Sequence, residues 1–417
     1  MPDGTTSSLV LSFEDARHTV EIHAASVRAP AVESAMLLSA AGRVLAEVVT
    51  ADRDIPPFPR STRDGYAVRS ADLVNLPATF ESVGEIRAGE ASTNLPERIG
   101  AGQTVSIMTG APVPDGADAV VMVEYASQQG SRVEISRGAS SGDNIVPRGA
   151  EAKKGSVLID RGTRLNDAAI ALVASVGKPE LQVYKRPRVA MLTTGDEIVD
   201  VGTTPGPTQI RNSNSYSLSV QIAQSGGEPV LLPIAPDEPT QLRRLIAEGL
   251  TADLLLMTGG VSMGRYDLVE QVLAELNADF FFTGAKIQPG RPVVFGRCAP
   301  SNEKNRTYFF GLPGNPVSTM VTFELFARPM LEALAGMSAR KLRFVFAKLK
   351  SEIKVRPGLK RFLPAILSGE FENSQVELVR WQGSGDVAAT ARADCYIVVP
   401  TDRETISAGE HVSVLLR

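Results

Sequence analysis

The chain has 417 residues, 43% of them hydrophobic and 22% charged, and a formal net charge of −4 at pH 7. This length and composition indicate several cores, and the weak negative charge argues against a nucleic-acid-binding protein with a dispersed basic face. The two cysteines, Cys298 and Cys395, form no CxxC pair and indicate neither a disulfide framework nor a thiolate zinc site, and no apolar run has the length of a signal-peptide core or a membrane span, so we expect a cytoplasmic protein without membrane contact.

The first part of the chain alternates between helical and extended patterns. Residues 30–50 show the apolar spacing of a helix that ends before a proline-rich segment. Residues 51–154 instead show short β-type runs between turns, and helical spacing returns at 164–176. We therefore predict a discontinuous N-terminal helical and extended domain (1–50 and 155–186) that is interrupted by an inserted β-rich domain (51–154).

From residue 187, short apolar runs alternate with amphipathic segments, which is the pattern of parallel βαβ units. The predicted helices lie around residues 215–224, 239–249 and 267–276. After Gly336 the helical patterns stop and strand-like runs follow. The predicted fold class is multidomain α/β plus β, with an α/β parallel-sheet domain at 187–336 and a compact C-terminal β domain at 337–417.

Two loops of small residues lie where a predicted strand gives way to a helix, TGGVSMG at 258–264 and GLPGNPVS at 311–318. At the carboxyl edge of an open α/β sheet, such loops present backbone N–H groups to an anion. The alternative is that their glycines are only turn residues with positive φ. The pair of loops favours a phosphate-bearing substrate, with candidate binding residues Gly259, Gly260, Ser262, Gly264, Gly314 and Asn315.

Charged residues accompany these loops. Asp196 and Glu197 follow the first strand of the α/β domain and Asp267 follows the TGGVSMG loop, so these carboxylates suit Mg²⁺ unless they only cap turns or helices. Lys286 lies before the proline-rich turn at 289–292 and Arg291 lies within it, and this turn either places them at an oxyanion or is only a tight turn.

Six motifs occur in the order in which they occur in the MoeA and gephyrin E-domain family, the molybdopterin molybdenumtransferases. They are DGYA at 64–67, TGAP at 109–112, TGDE at 194–197, GGVS at 259–262, PGRP at 289–292 and GLPGNPVS at 311–318. The chain resembles this family from about residue 30 to its C-terminus, including QGSG at 382–385.

The resemblance implies an enzyme of molybdenum cofactor biosynthesis that inserts molybdate into adenylylated molybdopterin, releases AMP and uses Mg²⁺. It also implies an elongated homodimer with each active site between the α/β domain of one subunit and the β module of the other. The partner that supplies the substrate would be an adenylyltransferase, and neither nucleic acid nor membrane is implied. Molybdate and tungstate both remain open as the oxyanion.

The resemblance also assigns roles to individual residues. Catalytic roles fall to Asp64, Thr109, Glu197, Asp237 and Asp267, substrate-binding roles to Pro313 and Pro316, and metal-binding roles to Glu151, Glu197 and Asp267.

The sequence departs from the family at four kinds of position. Glu151 stands where the family usually has Asp, Asn212 where Asp is frequent, Gly284 and Gln288 where lysines are common, and Arg291 where the turn has Lys. The identity of the oxyanion ligands is therefore open.

Two other functions compete with molybdate insertion. The α/β domain alone resembles a molybdopterin adenylyltransferase, and gephyrin-like relatives act as scaffolds. The additional β domains and the PGRP segment favour insertion over adenylylation, and nothing in the chain resembles an added interaction linker.

Overall fold

The structure is a computed structural model that describes residues 9–89, 98–260, 268–298, 306–338 and 340–417. Its first elements are β1 (Val10–Leu11) and α1 (Phe13–Ala25). They lie on the α/β domain, because β1 pairs with Gly284 and Ala285 and α1 buries Val20 in the core of that domain. The structure therefore differs in this segment from the predicted domain that begins at residue 1.

Residues 30–50 form two strands, β2 (Val32–Met36) and β3 (Val49–Thr50), and a short 3-10 turn in place of the predicted helix. Val32 and Met36, whose spacing suggested a helix, both lie on the exposed face of β2. The backbone of β2 is paired antiparallel with residues 180–184, far along the chain.

The inserted region forms a six-stranded sheet in the order β8-β5-β7-β6-β10-β9, in which β6 and β7 run parallel and the other neighbours antiparallel. Its strands, with a short β4–β11 pair beside the sheet, are β4 (Arg60–Ser61), β5 (Gly65–Val68), β6 (Ala78–Ile86), β7 (Gln103–Ile107), β8 (Ala119–Met122), β9 (Ala126–Gln129), β10 (Arg132–Ile135) and β11 (Ile145–Val146). Alternate residues of a strand point to opposite faces of the sheet, and each face has its own apolar core. Val121 and Val133 belong to one core, and Val105 and Ile107 belong to the other.

The chain enters and leaves this region at adjacent points. The N–H of Ala51 donates to the carbonyl of Ser156 (2.9 Å), and the N–H of Gly155 donates back to the carbonyl of Ala51 (2.8 Å). The elements that follow are β12 (Val157–Ile159), α2 (Asp167–Ser175) and β13 (Glu180–Tyr184). Since β12 pairs with β3 and β13 with β2, the segments on the two sides of the insertion form one unit.

The α/β domain has a six-stranded sheet in the order β17-β14-β18-β23-β22-β19. Its elements are β14 (Arg188–Thr193), β15 (Ile198–Val199), β16 (Ile210–Arg211), α3 (Asn214–Gln224), β17 (Glu228–Leu231), α4 (Pro239–Gly249), β18 (Leu254–Thr258), α5 (Leu268–Glu275), β19 (Asp279–Phe282), β20 (Gly284–Ala285), β21 (Ile287–Gln288), β22 (Val294–Cys298), β23 (Thr307–Leu312), α6 (Pro316–Thr322) and α7 (Arg328–Leu334), with a π-helical turn at Phe323–Ala327. Apolar cores lie on both faces of the sheet.

The first four strands of this sheet run parallel, as predicted, whereas β22 is antiparallel to both of its neighbours, β23 and β19, and makes the sheet mixed. Because β22 is reversed, it begins at the edge where β14, β18 and β23 end. The turn that precedes β22 therefore lies beside the loops that follow the parallel strands.

The C-terminal domain is a closed antiparallel barrel with one parallel pair, in which β26 pairs with both β27 and β28. Its elements are β24 (Phe344–Leu349), β25 (Ile353–Lys354), β26 (Lys360–Ser368), β27 (Gln375–Leu378), α8 (Val387–Arg392), β28 (Cys395–Val399), β29 (Thr405–Ile406) and β30 (His411–Leu416). The short helix α8 was not expected after Gly336. The strand β21 pairs parallel with β26 and joins the α/β domain to the barrel.

Within the described ranges, no helix combines the length and the apolar character needed to cross a membrane.

Candidate active site

A cavity of about 360 Å³ lies at the carboxyl ends of β14, β18 and β23, and we call it the edge cavity. Its lining residues are Thr193, Thr194, Glu197, Ile198, Ile210, Asn214, Thr258, Gly259, Gly260, Pro292, Pro313, Gly314 and Asn315. Six of the residues singled out from the sequence lie in this set, from three separate motifs. Three others, Ser262, Gly264 and Asp267, fall outside the described residues.

The two glycines that follow β18 have no room for a side chain. Gly259 (φ +86°) and Gly260 (φ +59°) both have left-handed backbone, which favours glycine. A Cβ atom on Gly259 would lie 2.5 Å from the carbonyl oxygen of Thr194, and one on Gly260 would lie 2.7 Å from Cγ2 of Val269. Glycine is therefore required for the packing of this turn against Thr194 and Val269, and both glycines line the edge cavity.

Two polar atoms of the lining residues are buried without a hydrogen-bond partner among the described residues, Oγ1 of Thr194 and Oδ1 of Asn214. The amide nitrogen of Asn214 is used, since it donates to the carbonyl of Gly314 (2.7 Å). Buried polar atoms without partners are rare and costly, which points to a ligand that completes them. Because Oδ1 accepts and a hydroxyl can donate, such a ligand offers both a hydrogen-bond donor and an acceptor. The sequence analysis did not single out either residue.

A buried hydrogen-bonded cluster lies beneath the cavity. Oγ1 of Thr193 contacts the hydroxyl oxygens of Ser215 (2.9 Å) and Thr258 (3.0 Å), which connects the ends of β14 and β18 with the start of α3. Asn212 accepts at Oδ1 from the N–H of Ser215 (3.1 Å) and donates from Nδ2 to the Ser215 hydroxyl (2.9 Å). A carboxylate could not donate the second of these bonds and would have to accept from the hydroxyl instead, whereas the amide at position 212 makes both bonds without burying a charge.

Three carboxylates lie near one another, those of Asp196 and Glu197 after β14 and that of Asp237 just before α4. The N–H of Asp237 donates to Oδ1 of Asp196 (3.2 Å). Burial raises the pKa of Asp237, and the negative charges of Asp196 and Glu197 raise it further. Carboxylate oxygens are the ligands that a hard divalent cation such as Mg²⁺ prefers. No set of three His, Cys, Asp or Glu side chains in the described part of the chain already has a metal-holding arrangement.

The predicted metal ligand Glu151 is not brought to Glu197 within this chain. Its Oε1 accepts from Arg60 at 2.9 Å in an exposed ion pair of the inserted domain.

Asp64 and Thr109 meet in the same inserted domain, where Oδ1 of Asp64 accepts from the backbone N–H (2.7 Å) and the hydroxyl (2.9 Å) of Thr109. The backbone N–H and then the hydroxyl lower the pKa of Asp64. Neither residue lines the edge cavity.

A second cavity of about 350 Å³ lies between the α/β domain and the barrel, and we call it the interdomain cavity. It shares Pro292, Pro313 and Asn315 with the edge cavity, so the two spaces adjoin. Arg291 lines the interdomain cavity only. On the barrel side, Ser384 of the QGSG motif accepts from the amide nitrogen of Asn315 (2.9 Å).

Beside the interdomain cavity lies Arg361, a buried cation that sequence reasoning missed. Its Nε donates to Oε1 of Gln288 (2.8 Å), and burial lowers its pKa. A lysine at position 288 would place a like charge against Arg361, whereas glutamine provides an acceptor. Lys286 is exposed and lines neither cavity, and Pro316 is the first residue of α6.

Comparison with known proteins agrees with this geometry. Three family models match successive regions of the chain: MoeA N-terminal region (domain I and II) at residues 11–177, probable molybdopterin binding domain at 190–333, and MoeA C-terminal region (domain IV) at 347–416.

Two similar proteins are both named molybdopterin molybdenumtransferase. The one from Nostoc sp. is 35% identical over 387 residues, which cover 91% of this chain and 87% of the relative. The one from Bacillus subtilis is 33% identical over 384 residues, with 90% and 87% covered. Among solved structures, a molybdopterin biosynthesis moeA protein from Pyrococcus horikoshii superposes with a TM-score of 0.76 at 26% identity and covers 98% of this chain and 100% of its own.

Proposed function

Since the chain belongs to the molybdopterin molybdenumtransferase family, we propose that it inserts molybdate into adenylylated molybdopterin with release of AMP, and that the edge cavity binds this substrate. The relatives are transferases of molybdenum cofactor biosynthesis by name, and the chain matches them along nearly its whole length. The observation that supports this site best is the pair of unpartnered polar atoms on Thr194 and Asn214 beside the crowded glycines. A pterin with N–H groups and phosphate oxygens has the chemistry that these atoms lack.

The residues of the two cavities bind different parts of the substrates. The backbone at Gly259 and Gly260 receives phosphate oxygens at the end of β18. Arg291, with a guanidinium that can donate two N–H groups to one oxyanion, lies in the interdomain cavity and attracts molybdate. Because the two cavities adjoin at Pro292 and Pro313, the oxyanion and the pterin can meet without crossing solvent.

Mg²⁺ would be held by Glu197 together with Asp196 and Asp237, whose mutual repulsion a divalent cation relieves. When bound, the ion supplies positive charge to the phosphoanhydride as it is cleaved.

The homodimer implied by the family is part of the proposal. Within one chain, Asp64 and Thr109 lie in the inserted domain and line neither cavity. In the dimer, the inserted domain of one subunit brings this pair to the edge cavity of the other. An adenylyltransferase delivers the substrate.

The competing functions are not favoured. An adenylyltransferase would require the α/β domain alone, but the family models also match the regions on both sides of it. No described feature favours a scaffold.

The test is to incubate the purified protein with adenylylated molybdopterin, Mg²⁺ and molybdate or tungstate, and to measure AMP release. We expect AMP release that depends on Mg²⁺ and on the oxyanion, and the ratio of the two oxyanions identifies the preferred one. ATP-dependent adenylylation of free molybdopterin, without oxyanion-dependent AMP release, would contradict the proposal.

A further inference from the structure

A basic cavity of about 190 Å³ lies where α1, α7, the connection that follows α7, and β30 meet. Among its described lining residues are seven basic side chains but only two carboxylates, those of Glu324 and Glu332. None of these residues lines the edge cavity or the interdomain cavity. The excess positive charge is therefore separate from the proposed active site.

Both carboxylates already have a partner. Nη1 of Arg328 donates to Oε2 of Glu324 (2.8 Å), and Nε of Arg328 donates to Oε1 of Glu332 (3.0 Å). A single arginine thus bridges the two acids across the turn at Phe323–Ala327. Arg328 therefore balances part of the negative charge of these two carboxylates.

Of the remaining cations, Arg17 is paired with Glu21 (2.7 Å), whereas the others have no carboxylate side chain within ion-pair distance in the described structure. Arg164 is half-buried and uses Nε to donate to the carbonyl of Gly42 (3.1 Å), while Arg340 and Arg343 extend from the connection after α7. Burial lowers the pKa of Arg164, and the cations Arg328 and Arg340 lower it further against the opposing effect of Glu332. Cations from two separate parts of the chain therefore repel one another across this space.

An adjoining cavity of about 440 Å³ gives the ligand a second characteristic. It shares five lining residues with the basic cavity, Arg17, Pro329, Glu332, Arg340 and Lys341. Most of its other lining residues are apolar, including Val27, Met337 and the ring of Tyr184. A molecule that fills both spaces has an anionic end and an apolar body.

We propose that the two cavities form one binding site for a small organic phosphate, with the phosphate bound by Arg164, Arg340 and Arg343 and the apolar body against Val27 and Met337. Arginine suits a phosphate because its planar group donates two N–H groups to neighbouring oxygens. Since the cations come from both sides of the cavity, the bound anion also joins the N-terminal unit to the connection that leads to the barrel.

The test is titration calorimetry of the full chain with inorganic phosphate and with 1-naphthyl phosphate, which differ only in the apolar body. We expect naphthyl phosphate to bind more tightly than phosphate, and Arg340→Gln and Arg343→Gln to weaken its binding about tenfold or more, because each removes a charge-assisted donor. Arg244→Gln, which removes an exposed cation on α4 that has no ion-pair partner among the described residues, should bind as the wild type does.

Both cavity variants change exposed side chains, and melting curves check that they fold. Unchanged affinity in Arg340→Gln and Arg343→Gln, or no binding of either probe to the wild type, would overturn the proposal. Equal affinity for the two probes would overturn the assignment of the apolar cavity.

Discussion

A single carboxylate oxygen of Asp64 accepts both the backbone N–H and the hydroxyl of Thr109, at 2.7 and 2.9 Å. These residues lie 45 positions apart, and the contact joins the DGYA and TGAP motifs on one side of the inserted sheet. The two hydrogen bonds lower the pKa of Asp64, so that its carboxylate stays ionised at pH values below the ordinary pKa of an aspartate. The loop therefore presents a fixed negative charge at neutral pH.

We expect Thr109→Val to raise the pKa of Asp64 while leaving it below its ordinary value, because the hydroxyl is lost and the stronger backbone bond remains. The pKa of Asp64 is lower in the folded protein than in the unfolded chain. The contact therefore stabilises the fold at pH values above the pKa of the unfolded chain, and this stabilisation is lost as the pH falls through the pKa of the folded protein. A carboxyl ¹³C NMR titration of Asp64 in both proteins measures the shift. An unchanged midpoint would show that the hydroxyl does not bind Asp64 in solution.

Glu197→Gln should lower the pKa of Asp237, because one of the two neighbouring negative charges is removed while burial and Asp196 remain. The same change should reduce Mg²⁺-dependent AMP release about tenfold or more. Glu228→Gln, an exposed carboxylate at the start of β17, is the matched control and should change neither quantity. Wild-type activity in Glu197→Gln would remove this residue from the Mg²⁺ site.

Gly259→Ala and Gly155→Ala separate backbone strain from crowding, since the two glycines have similar φ values of +86° and +83°. The left-handed conformation costs about 1–2 kcal/mol in each variant. Only at position 259 would the new Cβ also lie 2.5 Å from a backbone oxygen, that of Thr194, whereas nothing lies within 4 Å at position 155. Urea unfolding should show a larger loss of stability in Gly259→Ala, together with a loss of AMP release. Equal stabilities would argue against a crowded turn at the cavity.

Arg291→Ala should weaken the use of molybdate about tenfold to hundredfold, because a charge-assisted donor contributes about 1.5–3 kcal/mol. Arg291→Lys should restore part of this loss, since a point charge replaces the two-pronged guanidinium. The measurement is AMP release against molybdate concentration, with Arg244→Gln as the control for loss of one exposed positive charge. If the molybdate curves of the Arg291 variants match that of the wild type, the neighbouring Arg361 becomes the oxyanion candidate.

The α/β domain could be predicted closely because its helices carry local signals. Helix α4 spans Pro239–Gly249, the range expected from its apolar period, and begins with a proline after Glu238, which caps the N–H groups of Thr240 and Gln241. Glycine loops after strands likewise predicted Gly259, Gly260 and Gly314 as neighbours, since the ends of parallel strands share one edge.

The segment at 30–50 could not be predicted in the same way. Val32 and Met36 have helical spacing, but their side chains are 48% and 61% exposed, and β2 depends on hydrogen bonds to β13. A pairing between segments so far apart has no local pattern. The burial of Arg361 against Gln288 depends in the same way on the pairing of β21 with β26 across two domains.

The adjacent entry and exit of the inserted sheet have a consequence for the ancestry and engineering of the chain. Ala51 bonds to both Gly155 and Ser156, and Ile55 bonds to Ala152, so the inserted segment begins and ends at neighbouring points. If the inserted segment were removed, joining the two ends would therefore carry only a small entropic cost of loop closure. The segment has the geometry of an exchangeable cassette, which could be gained, lost or replaced while β3 and β12 stay paired.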